Sequence, residues 1–224
     1  MKNIFGAFSV APANLKLKNG YTLFDWAMRQ HCFPAFWGRS LTGANAITTD
    51  EVAFLKAKNC KVCLILDDVT ELEISGCNGT EEAMRAINAA KALGVPQDNT
   101  VTLFVKVKDE WSVNHNWMIS FAQTLSNEGY IPGFIGNTDS SKNFVFDRQC
   151  GHFVNATTAF NQFGAIYGAT QPKCDGVPQK WEPYCPSVLS QEHIGLWFCD
   201  TTTFDNFVMD DVYARDEKVL AIMW

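Results

Sequence analysis

The run VCLIL, residues 62–66, is apolar at every position and ends directly on two carboxylates, Asp67 and Asp68. A strand that is apolar on both faces belongs to a sheet covered on both sides, which is the situation of parallel strands with helical crossovers. Such a strand does not tolerate an unpaired carboxylate, so it must reach water, or a site, at Asp67. Whether it reaches the one or the other depends on what the neighbouring segments build.

Those segments alternate between strand-like and helix-like patterns. Strands are expected at YTLFDWA, FPAFWGRSL, KVCLIL, TVTLFVKV, YIPGFIG, FGAIYGAT, HIGLWFCD and FVMDDV. Between them, Thr48-x-x-Glu51 forms a capping box that opens the helix TDEVAFLKAKN. Thr80 caps TEEAMRAINAAKAL, which stops at Gly94 with Pro96 just beyond. NHNWMISFAQTLSNEG carries apolar residues near i, i+3, i+4 and i+7, and a further helix is expected from about Asn155 to Phe163. Strands alternating with helices point to parallel βαβ units. No glycine-rich phosphate loop follows any strand, so nucleotide binding has no support. The expectation is an α/β chain in one domain, residues 1–224, folded as a (β/α)8 TIM-type barrel with irregular or shortened helices.

Composition excludes some partners. The net charge is −6 and Lys and Arg never run longer than two, so no electrostatic footprint for nucleic acid exists. No stretch of 18 apolar residues occurs, so no membrane span is expected. The start, MKNIFGAFSVAPANLKLKNG, is a poor signal peptide because its apolar part is short and broken by Gly and Pro. A cytosolic protein, or a mature form without its leader, is the expectation.

Cys60 and Cys63 form a C-x-x-C without a second pair at zinc spacing, and buried free thiols are the expected state. Cys174 and Cys185 bracket a Pro-rich loop and would make a sensible staple in an oxidising compartment. Asn78 and Asn155 lie in glycosylation sequons. No cofactor or metal is called for.

In a barrel of parallel strands the active site lies at the C-terminal strand ends. Acids fall there repeatedly: Asp25, Asp67 and Asp68, Asp109 and Glu110, Asp200, then Asp210 and Asp211. Carboxylates converging on one rim are what glycoside hydrolysis needs, one protonating the leaving oxygen and another activating water or steadying the sugar cation. Asp also caps strand ends and helices in ordinary structural roles. Aromatic residues make up 13% of the chain, which suits a large core and also allows flat rings to line a sugar site.

The order FDWA, FWGRSL, TTDEVAFLKAKNCKV resembles the opening of a bacterial glycoside-hydrolase-like TIM-barrel family of unknown function, related to the family 25 lysozymes (muramidases). GTEEAMRAINAAKALGVPQDNTVTLFVKV looks like that family's next block. EGYIPGFIG, LWF and FVMDDV are similar to its later strands, so the resemblance spans about residues 21–213. It implies catalytic roles for Asp25, Asp109 and Asp210, with Asp109 as general acid. Asp67, Asp68, Glu110 and Asp200 would line a substrate site for a cell-wall or related polysaccharide; Arg39 would bind substrate, orient an acid or form a buried structural ion pair, and Trp197 would stack a sugar ring or belong to the core.

Three departures bear on chemistry. The family usually ends its fourth strand on two acids one residue apart, and here Val107 stands where the first belongs. Ser40 and Phe198 replace a tyrosine and a glutamine. By strand alternation Val107 and Asp109 would share the site face and Lys106 would point away from it. Two readings follow: a polysaccharide hydrolase, or a catalytically impaired barrel used for carbohydrate binding or as a self-assembling structural module. In the latter the segments around Trp111, Trp117, Trp181 and Trp224 would be contact surfaces.

Overall fold

Eight strands close on themselves, hydrogen-bonded in chain order from the first to the last and back to the first. The computed structural model describes residues 3–29, 32–139, 145–156 and 164–224, with backbone alone for 145–147. In order the elements are β1 (Ile4–Phe8), α1 (Leu23–Trp26), β2 (Phe36–Ser40), α2 (Thr49–Ala57), β3 (Lys61–Leu66), α3 (Glu71–Ser75) and α4 (Thr80–Leu93). There follow β4 (Thr102–Lys106), α5 (His115–Asn127), β5 (Ile131–Gly136), α6 (Val145–Asn155), β6 (Ile166–Ala169), β7 (Ile194–Phe204), β8 (Phe207–Ala214) and α7 (Glu217–Ala221).

From β1 to β7 each strand pairs in parallel with the next. The expectation of eight parallel strands fails at β8, which is antiparallel to both β7 and β1. The cause is local. Asp205 and Asn206 join β7 to β8 with φ of 49° and 71°, the paired left-handed conformation of a two-residue hairpin. A connection that short leaves no room for a helical crossover.

Alternation along each strand sorts side chains into two layers. Phe8, Phe36, Cys63, Ile65, Phe104, Ile135, Phe198 and Val212 belong to one buried cluster inside the barrel. Trp37, Leu64, Leu103, Val105, Val107 and Trp197 belong to the larger cluster between the strands and their covering helices. The interior is filled by rings that glycines admit: a Cβ on Gly6 would lie 2.4 Å from Phe36, and one on Gly133 would lie 2.3 Å from Phe104. The carboxy-terminal segment closes the pole at the strand starts. Trp224 exchanges backbone hydrogen bonds with Val62, and Thr102 N–H donates to the Ile222 carbonyl. Val219 and Met223 join the interior cluster there, so the open pole is the one at the parallel strands' C-terminal ends.

Several local expectations need correction. YTLFDWA is not the first strand; IFGAF is, and Leu23–Trp26 is a short helix closed by a Thr22–Asp25 capping box. Thr80 does not cap α4. Gly79 is the N-cap, and a Cβ there would lie 2.6 Å from the Trp117 carbonyl oxygen, so close packing against α5 requires glycine. The helix before β6 spans Val145–Asn155, and residues 157–163 of the expected Asn155–Phe163 helix lie outside the described residues. No α-helix is assigned between β6 and β7; the described part of that link is irregular apart from the 3-10 turn Gln191–His193. Among the described residues, no helix is long and apolar enough to cross a membrane.

Candidate functional site

At the open pole each strand offers its last inward side chain, and six of these define the mouth: Phe8, Ser40, Asp67, Lys106, Phe198 and Asp210. Reversal of β8 does not remove Asp210 from the rim, because its register pairs Asp210 with Phe8 at the end of β1. Of the two acids after VCLIL, Asp67 turns inward and accepts a hydrogen bond from the Ser40 hydroxyl at 2.8 Å. Asp68 turns outward, accepting from the Thr42 hydroxyl at 2.7 Å with Arg85 at 3.7 Å.

Lys106 occupies the centre of this mouth. It ends β4, directly across the ring from β8, and its Nζ lies 3.5 Å from Asp210 Oδ2. The same ammonium sits over the ring of Phe8 at 4.3 Å and that of Phe198 at 4.9 Å, so aromatic quadrupoles share in holding the cation. The expectation that Lys106 points away from the site is therefore wrong by one residue: Lys106 faces in, whereas Val107 faces out and is buried under the helices. Burial lowers the Lys106 pKa below the usual amine value, opposed by the charges of Asp210 and Asp67. Burial likewise raises the Asp67 pKa, opposed by the Ser40 hydrogen bond and by Lys106. Asp210 is fixed by a 2.7 Å hydrogen bond from the Thr201 hydroxyl. A register slip between Phe198 and Thr201 in β7 brings that hydroxyl opposite it.

Beside Lys106 opens a cleft of about 310 Å³ with Asp109, Glu110, Thr170 and Lys173 on its walls. Asp109 accepts from the Thr170 hydroxyl at 2.7 Å and from Gln171 Nε2 at 3.2 Å. The link bearing Thr170, Gln171 and Lys173 is tied down by a disulfide between Cys174 and Cys199. The expected Cys174–Cys185 staple is thus replaced by a bridge to β7, whose Cα atoms are 4.7 Å apart, a span that disulfide geometry accepts. Cys60 and Cys63 are buried thiols, and burial pushes Cys60 up to about 12.

The remaining candidates disperse. Asp25 lies on the barrel's flank, bonded to the Thr22 hydroxyl at 2.6 Å and to Lys58 at 3.2 Å just ahead of β3. Those partners hold its carboxyl below the ordinary range, the Thr22 hydrogen bond foremost, so it stays ionised as a helix cap and does not reach the mouth. Arg39 faces outward, fully buried, and spends its guanidinium on Glu51 at 2.7 Å and on the carbonyls of Ser9, Val10 and Asn45. Glu51 consequently turns to Arg39 and the Ala13 N–H instead of completing the Thr48 capping box. Trp197 is buried in the outer layer with its N–H donated to the Pro172 carbonyl at 2.7 Å, so no sugar can stack on it. Asp200 is exposed beyond the rim and bonds to the Thr201 N–H. Asp211 faces away onto Arg29 at 3.3 Å.

Of the four tryptophans expected at contact surfaces, Trp117 is fully buried with its N–H on Glu82 at 3.0 Å. Trp111, Trp181 and Trp224 pack partly buried against the core. Among the described residues, no group of three or more His, Cys, Asp or Glu side chains could hold a metal ion.

The mouth thus unites Asp67, Lys106 and Asp210 with a side cleft that includes Asp109 and Glu110. It leaves out Asp25, Arg39, Asp68, Trp197 and Asp200. Missed in sequence were the inward direction of Lys106 and the support that Thr170 and Gln171 give Asp109. A lysine closing a run buried on both faces was the available signal.

No family model matches the chain, and no curated protein does. Among solved structures, an uncharacterized protein of B. stearothermophilus is similar over 99% of this chain and 100% of its own, with a TM-score of 0.80 and 22% identity. The Mycobacterium tuberculosis Tat-secreted protein Rv2525c is similar at 13% identity. Its complex with L-tartrate gives a TM-score of 0.62 over 95% of each chain, and its complex with HEPES gives 0.60 over 93% of each. At these identities what is shared is the fold.

Proposed function

We propose that the barrel mouth binds a hydroxylated ligand, a sugar unit of a cell-wall or related polysaccharide, without hydrolysing it. One observation carries this reading: Lys106 lies across the mouth from β4 to Asp210 on the opposite strand, clamped over Phe8 and Phe198. Glycoside hydrolysis needs two carboxyl groups facing each other across the bond to be cut, roughly 5–10 Å apart, one protonated and one ionised. Lys106 fills that path with a cation, and Asp210 is bonded to both Lys106 and Thr201. Val107, at the position where the resemblance places the missing acid, is buried outside the mouth, and the neighbouring Lys106 puts a positive charge inside it.

What remains suits binding. Lys106 and Lys173 offer donors, while Asp109, Glu110 and Asp210 offer acceptors around the cleft, the mixture that vicinal hydroxyls satisfy. L-tartrate, held by Rv2525c, is a small vicinal diol of this kind. The chain is read here as a distant relative of the glycoside-hydrolase-like barrels akin to family 25 lysozymes, its barrel a TIM-type form with the last strand reversed.

The test is calorimetric titration with peptidoglycan fragments and chitin-type oligomers, alongside an assay for released reducing ends. Saturable binding without new reducing ends, weakened at least about tenfold (1.4 kcal/mol) in Lys106→Met, is the expected result. Reducing ends released by the wild type and lost in Asp67→Asn or Asp210→Asn would reinstate hydrolysis.

A further inference from the structure

We propose that Lys106 forms a reversible imine with the carbonyl carbon of a small hydroxyaldehyde or hydroxyketone, including the open-chain form of a reducing sugar, entering the mouth through the side cleft. The proposal deepens the binding reading and rests on the same cleft accepting a hydroxylated ligand.

The geometry has the parts that such a step needs. The Lys106 side chain is 25% exposed and lines the cleft, so its Nζ is reachable from solvent, yet it stands on a rigid strand inside the barrel mouth. A nucleophilic lysine needs an accessible neutral amine and a neighbouring group to handle protons. Lys106 rests as an ammonium paired with Asp210, and burial, which lowers its pKa against the charges of Asp210 and Asp67, eases transfer of a proton to Asp210 that frees the lone pair. Asp210, oriented by Thr201, lies 3.5 Å away, and Asp67 bears on Lys106 from the adjoining strand. The other lysines of the cleft differ. Lys108 is exposed with its ammonium over Trp111 at 4.7 Å, and Lys173 is exposed on the disulfide-tied link.

The step balances without an oxidant or reductant. The Nζ lone pair attacks the carbonyl carbon, and the carbonyl π pair moves onto oxygen. Proton transfer from nitrogen to oxygen, for which Asp210 or Asp67 is the relay, gives a carbinolamine. The carboxyl of Asp210 or Asp67, carrying the proton taken from the Lys106 ammonium at the start, delivers it to the carbinolamine hydroxyl, whose C–O bond then breaks with departure of water while the nitrogen lone pair closes the C=N bond of a protonated imine. Addition of water reverses every step and returns the free amine. The cleft, equal to about ten water volumes, takes a ligand of roughly three to six carbons.

The experiment is reductive trapping. The full chain is incubated separately with glyceraldehyde, dihydroxyacetone and glucose, reduced with cyanoborohydride, digested and mapped by mass spectrometry. Hydride addition fixes the imine as a secondary amine. Lys106 should carry the adduct in roughly tenfold or greater preference to Lys108 and Lys173, and Asp210→Asn should slow trapping by at least about tenfold. Adducts spread over the exposed lysines, with Lys106 no higher than they are, would overturn the proposal; this reading uses the wild-type chain and needs no variant to fold. Methyl glycosides, which bind but cannot form imines, separate the two readings. Their binding without trapping at Lys106 leaves the binding site standing and removes the imine. Trapping at Lys106 without glycoside binding keeps the imine and removes the polysaccharide.

Discussion

Two cations near the ends of barrel strands, Arg39 in β2 and Lys106 in β4, have opposite surroundings. Arg39 points out of β2 into the layer beneath α2, is fully buried, and directs its guanidinium to one carboxylate and three carbonyls. Lys106 points into the mouth, is partly exposed, and has one carboxylate at 3.5 Å and two aromatic faces. A guanidinium whose donors meet fixed acceptors has little left for a ligand, so Arg39 fastens the loop after β1 to the start of α2. An ammonium with spare donors beside an open cleft can exchange a protein contact for a ligand contact. The difference teaches that burial of a charge alone does not identify a site; unspent valence beside open space does.

Arg39→Met should be the most damaging change, costing about 3–5 kcal/mol, since it strands Glu51 in the buried layer. Urea or thermal unfolding reads the loss, about 10 °C in Tm for a chain of this size, and replacing both partners with Met should restore much of it. Serine at both Cys174 and Cys199 comes next. Opening a bridge between residues 25 apart should cost about 3 kcal/mol and loosen the link that carries Thr170, Gln171 and Lys173, seen as faster amide exchange there.

Lys106→Met should change stability by only about 1 kcal/mol or less, because its ion pair is partly hydrated. A loss as large as that of Arg39→Met would erase the contrast and make Lys106 a structural residue. Smallest is a pH effect at Asp67. Its pKa in the fold is raised by burial, so the stability it confers is fully present below the unfolded value and is lost as pH rises through the folded value. Asp67→Asn should therefore gain on the wild type as pH rises above the ordinary carboxylate range, measured as the difference in urea midpoints.

The barrel was readable because each strand-forming run is long, apolar and bounded by helix signals. The exceptions are instructive. IFGAF was overlooked because five residues beside a Gly- and Pro-broken stretch carry no alternation, while TLFDW has aromatic content typical of strands yet closes as a capped turn of helix. Lys106 was misdirected for a related reason. LFV in β4 is buried on both faces, so no polar residue marks which side is the interior, and a one-residue error inverts every side chain. The same symmetry hid which of Asp67 and Asp68 enters the mouth. Asp25 does not reach the site, and the sequence left Arg39 and Trp197 open between site and core, because a residue type at a strand end says nothing of its partners: the Thr22 hydroxyl, Glu51 and the Pro172 carbonyl claim them.

The central claim is that Lys106 itself meets the ligand. Lysine side chains labelled with 13C at Cε report it directly by NMR during titration with a chitin-type oligomer or a peptidoglycan fragment. The Lys106 resonance, assigned from its absence in Lys106→Met, should shift with the same saturation curve as calorimetric binding. Saturated binding with the Lys106 resonance unmoved would contradict it.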